Sequence, residues 1–266
     1  MKLSIITVNL NNKDGLQKTI DSVISQTFKD FEWIVIDGGS TDGSKELIEK
    51  YSDYISYWVS EPDKGIYNAM NKGIRIAKGE YLEFLNSGDI LYDMNTLTSF
   101  FSLAKDYDIL FGNAMAYKKG KLEKLYYQND YLTCYYLTKS TINHQCAFIK
   151  KRLFEKYGCY DESLRVVSDW KFFFETIVIH NCSVNHIDID VVIYDTTGFS
   201  SIYTDLLNKE KMQILKQYLP DYAVDDYLSR LELNELLSHR FSRKIVGVLY
   251  HILLKLERMG LIVRNG

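Results

Sequence analysis

Four short stretches combine carboxylates, amides, small residues and lysines in patterns that can do chemistry. The first is Asp37-Gly38-Gly39-Ser40. Its carboxylate can accept hydrogen bonds from a heterocycle N–H or a ribose hydroxyl. The two glycines permit a tight turn and close backbone approach. The same residues also suit a turn that caps a helix. The second stretch, Asn86-Ser87-Gly88-Asp89, can hold Mg²⁺ or Mn²⁺ through oxygen, with Asp89 as its one carboxylate. An ordinary turn uses the same residue types. The third runs from Asp63 to Gly73 and carries Lys64 and Lys72 where a helix opens. A helix N-terminus favours phosphate, though solvated lysines on a helix surface would look the same. The fourth is Ser168-Asp169-Trp170. Asp169 can take a proton from a hydroxyl as a general base, and Trp170 can offer an apolar stacking face. The alternative is a capped helix with Trp170 in the core.

These stretches need elements to place them. Over the first hundred residues, strand signals at 3–8, 32–36, 55–60 and 80–85 alternate with helical spacing at 15–26, 44–51 and 67–77. That alternation predicts an α/β fold, a mainly parallel sheet flanked by helices. In such sheets ligands sit beyond the carboxyl ends of the strands. The strand ends are Thr7-Val8-Asn9-Leu10-Asn11-Asn12, the Asp37 turn, Glu61-Pro62-Asp63-Lys64-Gly65 and the Asn86–Asp89 turn. From 108 to 148 the chain is more β-like and rich in tyrosine, with strands expected at 108–112, 121–127 and 145–149. Helices are expected at 151–157 and 168–180, and a strand at 185–192. Beyond Gly198 helical segments follow at 202–218, 222–238 and 243–260, with Pro220 at the first break. A domain boundary near residue 200 would leave a helical C-terminal extension over 201–266.

Composition narrows the class. The 266 residues are 46% hydrophobic and 25% charged, enough for a sizeable core. A formal net charge of −3 gives no general case for nucleic-acid binding. The charge is uneven, however. From His239 to Gly266 six cations, Arg240, Arg243, Lys244, Lys255, Arg258 and Arg264, face a single acid, Glu257. Ile245, Val246, Leu249, Ile252, Leu253 and Leu256 outline an amphipathic helix there. It could rest on an anionic membrane surface through residues 240–264, pack on the core, or pair two copies as a homodimer. Its apolar run, 245–254, is too short to span a bilayer, which needs about 20 residues. Cys134, Cys146, Cys159 and Cys182 have neither zinc-site nor disulfide spacing, and they fit a reduced cytosol. The first residues run into a strand with no signal-peptide pattern, so a cytoplasmic location is expected.

In order and spacing, residues 3–9, 32–44, 65–73 and 79–89 and Ser168-Asp169-Trp170 together resemble the family 2 glycosyltransferases, inverting enzymes of the GT-A fold. The resemblance covers about residues 1 to 200. It implies a nucleotide-sugar donor, UDP-linked, with Thr7, Val8 and Asn11 along the nucleoside and Asp37 on the base. Ser40, Lys64, Asn68, Lys72, Asn86 and Ser87 complete the implied donor contacts. Asp89 would hold Mn²⁺ or Mg²⁺ on the diphosphate, and Asp169 would be the catalytic base. His144-Gln145 would lie near the sugar pocket with Trp170, although His144 also suits a purely structural role. The acceptor would be a saccharide or lipid-linked saccharide in bacterial cell-surface polysaccharide assembly. Two positions depart from the pattern: Asn86 stands where the motif usually begins with an acid, and Ser168 replaces a second acid. The Asn86 departure admits a rival, a non-catalytic sugar-nucleotide-binding or scaffold subunit. A nucleotidyltransferase is a weaker rival, because no glycine-rich basic loop follows the first strand.

Overall fold

The computed structural model describes residues 1–118, 121–125, 132–194 and 204–238. Its first half alternates β1 (Leu3–Asn9), α1 (Lys13–Ile24), β2 (Phe31–Asp37), α2 (Ser44–Lys50), β3 (Tyr57–Ser60), α3 (Ile66–Ile76) and β4 (Tyr81–Phe84). There follow β5 (Ile90–Leu91), α4 (Thr96–Leu103), β6 (Ile109–Lys118), β7 (Lys121–Leu125) and α5 (Cys134–Lys139). Next come β8 (Ala147–Lys150), α6 (Lys151–Tyr157), α7 (Ser168–Phe173) and β9 (Val184–Tyr194), then α8 (Thr204–Tyr218) and α9 (Asp221–Ser238). Between α7 and β9, residues Phe174–Ile179 continue as a π-helical turn.

The strands form one nine-stranded sheet in the order β3-β2-β1-β4-β8-β6-β9-β5, with β7 paired to β6. Strands β1, β2, β3, β4, β6 and β9 point one way, and β5, β7 and β8 point the other. The sheet is therefore mainly parallel, as expected. The chain winds outward from β1 to β3 and returns to β4, which makes the β1–β4 border a topological switch point.

Alternate residues of each central strand enter opposite cores. Leu3 and Ile5 of β1, Trp33 and Val35 of β2 and Tyr81 of β4 join one cluster with α1 and α4. Ile6, Val8, Ile34, Ile36, Leu82 and Phe84 join the other, with α3 and α6. Helix α3 lies so close to β1 that a Cβ on Gly73 would stand 2.5 Å from Ile6 Cγ2. At the opposite end Ser4 Oγ donates to Glu32 Oε1 (2.6 Å) and accepts from Gly79 N (2.8 Å), tying the α3–β4 link to the starts of β1 and β2.

One buried carboxylate stands apart from the other buried polar groups. Glu83 of β4 is fully buried, and neither carboxyl oxygen has a hydrogen-bond partner among the described residues. Burial, reinforced by the Asp89 charge, pushes its pKa well above the usual carboxylate range. Such a group favours the fold below its unfolded pKa and costs stability as pH rises past it. Glu83→Met should therefore stabilise the protein by about 1–3 kcal/mol, the scale of an unpaired buried polar group. The gain should be larger at pH 8 than at pH 5, as read by urea unfolding.

Several boundaries differ from the sequence expectation, each for a physical reason. Strand β6 runs on through Gly112, where the strand expected at 108–112 ended. The glycine is needed inside the strand, where its Cβ would meet Val191 Cγ2 at 2.4 Å and Ile189 O at 2.7 Å. There the β6–β9 register shifts between Phe111 and Asn113. Gln145 belongs to a 3₁₀ turn (His144–Cys146) rather than to a strand, and β8 starts only at Ala147. Helix α5, Cys-Tyr-Tyr-Leu-Thr-Lys, is built from residues of β-like composition, and its start is secured by Thr133, whose side chain accepts from Tyr136 N. Neither α5, α4 nor the two-residue β5 was expected.

The chain divides into two compact units, Met1–Met212 and Gln213–Gly266. In the second, the Pro220 carbonyl accepts from the amides of Ala223 and Val224 and so starts α9. The helix expected at 243–260, with its basic and apolar faces, lies outside the described residues. Among the described residues no helix is long and apolar enough to cross a membrane.

Candidate active site

A cleft of about 640 Å³ opens at the carboxyl ends of β1 and β4, where the chain reverses direction across the sheet. Its base is formed by Val8, Asn9 and Asn12 from β1 and the segment after it, and by Asn86, Ser87 and Asp89 after β4. The start of α3 with Lys64, Tyr67 and Asn68 makes one wall. His144, Gln145 and the segment from Glu162 to Asp169 complete the enclosure.

The turn after β4 is held from three sides. Ser87 N donates to Val8 O (3.1 Å), and Asp89 N donates to Asn86 O (3.0 Å). Asn12 Nδ2 donates to Ser87 O (2.9 Å), while its Oδ1 accepts from Gly15 N and caps α1. Thr19 of α1 accepts from Gly88 N (3.0 Å) and donates to Asp89 O (2.7 Å). Gly88 has a positive φ of 106°, which suits glycine there. The result is a fixed turn carrying Asp89, itself only 3% exposed.

Asp37 is fully buried at the end of β2. One oxygen accepts from Asn9 Nδ2 (2.7 Å) and Ser40 Oγ (2.5 Å), the other from Ser40 N (2.9 Å) and Ser60 Oγ (2.6 Å). Burial pulls its pKa up, but these four bonds outweigh it and leave the carboxyl below the usual range. The close approach permitted by Gly38 is made by the chain itself, since a Cβ there would lie 2.5 Å from Asp63 Oδ2. Asn11, in the left-handed region at φ 49°, accepts from Thr41 N (2.9 Å), and its own amide donates to Ser40 Oγ (2.8 Å).

Asp169 stands at the start of α7 with its side chain 13% exposed. His144 Nδ1 lies 2.8 Å from Oδ2, and the Tyr67 hydroxyl lies 2.8 Å from Oδ1. Burial raises the pKa of Asp169, yet the bonds from His144 and Tyr67 prevail and hold it below the ordinary 3.8. The carboxylate is thus ionised and acceptor-ready at neutral pH. Behind it, Glu210 of α8 accepts from Arg165 N (2.9 Å) and Val166 N (3.0 Å), fixing the wall that leads into Asp169.

Of the residues expected from sequence, Val8, Lys64, Asn68, Asn86, Ser87, Asp89, His144, Gln145 and Asp169 line this one cleft. Asp37, Ser40 and Asn11 form a bonded network beside it, in the loops that follow β1 and β2. Thr7 is fully buried, and its hydroxyl accepts from Trp33 Nε1 at 3.0 Å. Lys72 turns away to pair with Glu61 at 2.8 Å. Trp170 is a core residue: it is 2% exposed, stacks on Phe174 with ring centroids 5.4 Å apart and donates to Leu137 O. The stacking face expected of it is therefore used inside the protein. Four site residues were not singled out from the sequence: Asn9, Asn12 and Tyr67 lie within the stretches named there, whereas Glu210 lies outside them and acts on Arg165 and Val166, over forty positions away.

A divalent cation is compatible with this donor set in one form. Among the described residues no three His, Cys, Asp or Glu side chains converge on a point. Mg²⁺ and Mn²⁺, however, are commonly held by one or two carboxylates together with substrate phosphates and water. Asp89 supplies one such carboxylate in a rigid turn, so an ion here would be shared with a phosphate-bearing ligand.

Comparisons with known proteins bear on the family and the fold. The family model described as glycosyl transferase family 2 matches residues 4–158, more than half of the chain. A PGL/p-HBAD biosynthesis glycosyltransferase of Mycobacterium bovis is 32% identical over 175 residues, which cover 64% of this chain and 67% of that protein. In three dimensions the chain resembles residues 1–349 of S. aureus TarS in complex with UDP-GlcNAc, with a TM-score of 0.66, 19% identity and 90% of this chain and 73% of that chain covered. It also resembles a Pyrobaculum calidifontis mannosyltransferase in complex with GDP-Man and Mn²⁺, with a TM-score of 0.63, 14% identity and 98% and 83% covered. These two likenesses concern the fold, which is GT-A. The matched segment contains the Asp37 network, the Asp89 turn and His144, and by that match the chain belongs to glycosyl transferase family 2.

Proposed function

We propose that this glycosyltransferase moves a sugar from a UDP-linked donor to a hydroxyl of a saccharide or lipid-linked saccharide acceptor, with inversion at the anomeric carbon. One observation carries the reading: Asp169, a carboxylate bonded by Tyr67 and beside His144, lines the same cleft as the Asp89 turn. In a single displacement the acceptor hydroxyl attacks the anomeric carbon and gives its proton to Asp169, while the bond to the nucleoside diphosphate breaks. Tyr67 and His144 hold the carboxylate in place for that transfer. The nucleoside lies along Val8 and Asn11, beside the loop that Asp37 holds in place, and Lys64, Asn68, Asn86 and Ser87 serve the ribose and phosphates. A Mn²⁺ or Mg²⁺ ion on Asp89 would supply charge neutralisation for the leaving diphosphate. The solved neighbours crystallised with UDP-GlcNAc and with GDP-Man and Mn²⁺ support a nucleotide-sugar donor and a divalent ion.

The test is a thermal-shift screen of nucleotide sugars with and without Mn²⁺, followed by NMR of the product anomer. UDP-sugars should raise the melting temperature more than GDP-sugars do, and the product should have the opposite anomeric configuration. Retention of configuration, or a preference for GDP, would refute this assignment.

A further inference from the structure

The neutral residue at position 86 has a chemical counterpart across the cleft. Asn86 Nδ2 lies 3.1 Å from His144 Nε2, and His144 Nδ1 lies 2.8 Å from Asp169 Oδ2. The three side chains form a line from the turn after β4, through the 3₁₀ turn before β8, to the first residues of α7. An ionised carboxylate only accepts, so the nitrogen facing Asp169 must carry hydrogen. A neutral imidazole has one N–H, so Nε2 then presents a lone pair and needs a donor. An amide provides that donor and a carboxylate does not. Aspartate at 86 would confront the Nε2 lone pair with a second acceptor, or draw a second proton onto the ring, so that an imidazolium donates from Nε2 to residue 86 and from Nδ1 to Asp169. The remaining oxygen of the Asn86 amide is buried and has no partner among the described residues, consistent with the amide being anchored through its nitrogen.

We propose that Asn86 and His144 are a matched positioning pair: Asn86 fixes His144 as its Nδ1–H tautomer, and His144 in turn fixes the orientation of Asp169. Tyr67 holds the other oxygen of Asp169, so the carboxylate cannot rotate without losing one bond or the other. The catalytic consequence rests on Asp169 being the base, whereas the tautomer does not.

The experiment is ¹⁵N NMR of the full chain carrying ¹⁵N-histidine, at neutral pH and without substrate, with the His144 signals assigned by their loss in His144→Gln and His144→Asn. The expected spectrum shows His144 with a protonated Nδ1 and an unprotonated Nε2. A protonated Nε2, with or without a proton on Nδ1, overturns the proposal. Asn86→Asp should abolish that signature and lower kcat about 10- to 100-fold, the scale of a misoriented catalytic group. His144→Asn, which keeps a donor where Nδ1 stood, should retain more kcat than His144→Gln. An Asn86→Asp protein with the parental spectrum and parental kcat also overturns the pairing. The spectrum is read without turnover, so it stands or falls separately from the choice of donor, acceptor or base.

Discussion

Asp169→Asn should lower the transfer rate by about 10²–10⁴-fold, the usual contribution of general-base catalysis. Donor binding, followed by calorimetry, should stay close to that of the parent protein. The isosteric amide fills the same space at the start of α7 and still offers an oxygen to Tyr67 or His144. What it lacks is the ability to take a proton as the acceptor oxygen attacks. The loss should therefore fall on kcat and kcat/KM together, the pattern of an interaction made only in the transition state. A stability effect should accompany it. The folded-state pKa of Asp169 is depressed below its ordinary value, so its ionised form stabilises the fold above the carboxylate range and loses that contribution as pH falls through the folded pKa. Parent and variant should differ most in urea midpoint near neutral pH and converge in acid. Near-parental turnover by Asp169→Asn would remove Asp169 as the base, whatever the stability profile.

Asp89→Ala should remove the gain in donor affinity that Mn²⁺ provides. Losing one charged partner in a buried site costs about 2–5 kcal/mol, so the metal-dependent affinity should fall on the order of 100-fold. Titration of UDP with and without Mn²⁺ separates this from a general weakening, because the metal-free affinity should change little. The turn should survive the substitution, since its bonds to Thr19, Asn12 and Val8 are made by backbone atoms of residues 87 to 89. A variant that keeps the full Mn²⁺ effect would place the ion elsewhere.

Much of the fold could be read from residue order. The strands 3–8 and 32–36 are mostly apolar because they are buried on both faces, and that pattern separates them from the half-exposed strands of antiparallel sheets. The polar residues immediately after them marked the strand ends, and so the location of the cleft. The later elements were harder. Gly112 reads as a breaker when only its neighbours in sequence are known, yet it is demanded by Val191 and Ile189 of β9, some eighty residues on. Helix α5 has strand-like composition and is fixed by a cap at Thr133 together with Leu137 and Thr138 in the core.

The sequence by itself determined which residue types would stand at the strand ends, the carboxylates at 37 and 89, the lysine at 64 and the neutral amide at 86, and which would open a later helix, the carboxylate at 169. Local propensity and the period of apolar residues suffice for that, because they operate within a few positions. Only the tertiary structure decided which of those residues share the cleft. It turned Trp170 and Thr7 into the core, paired Lys72 with Glu61, enclosed Asp37 in four hydrogen bonds, and joined Asn86, His144 and Asp169 in one line. Those contacts span up to 58 positions in the chain and depend on side-chain direction, which no local pattern encodes.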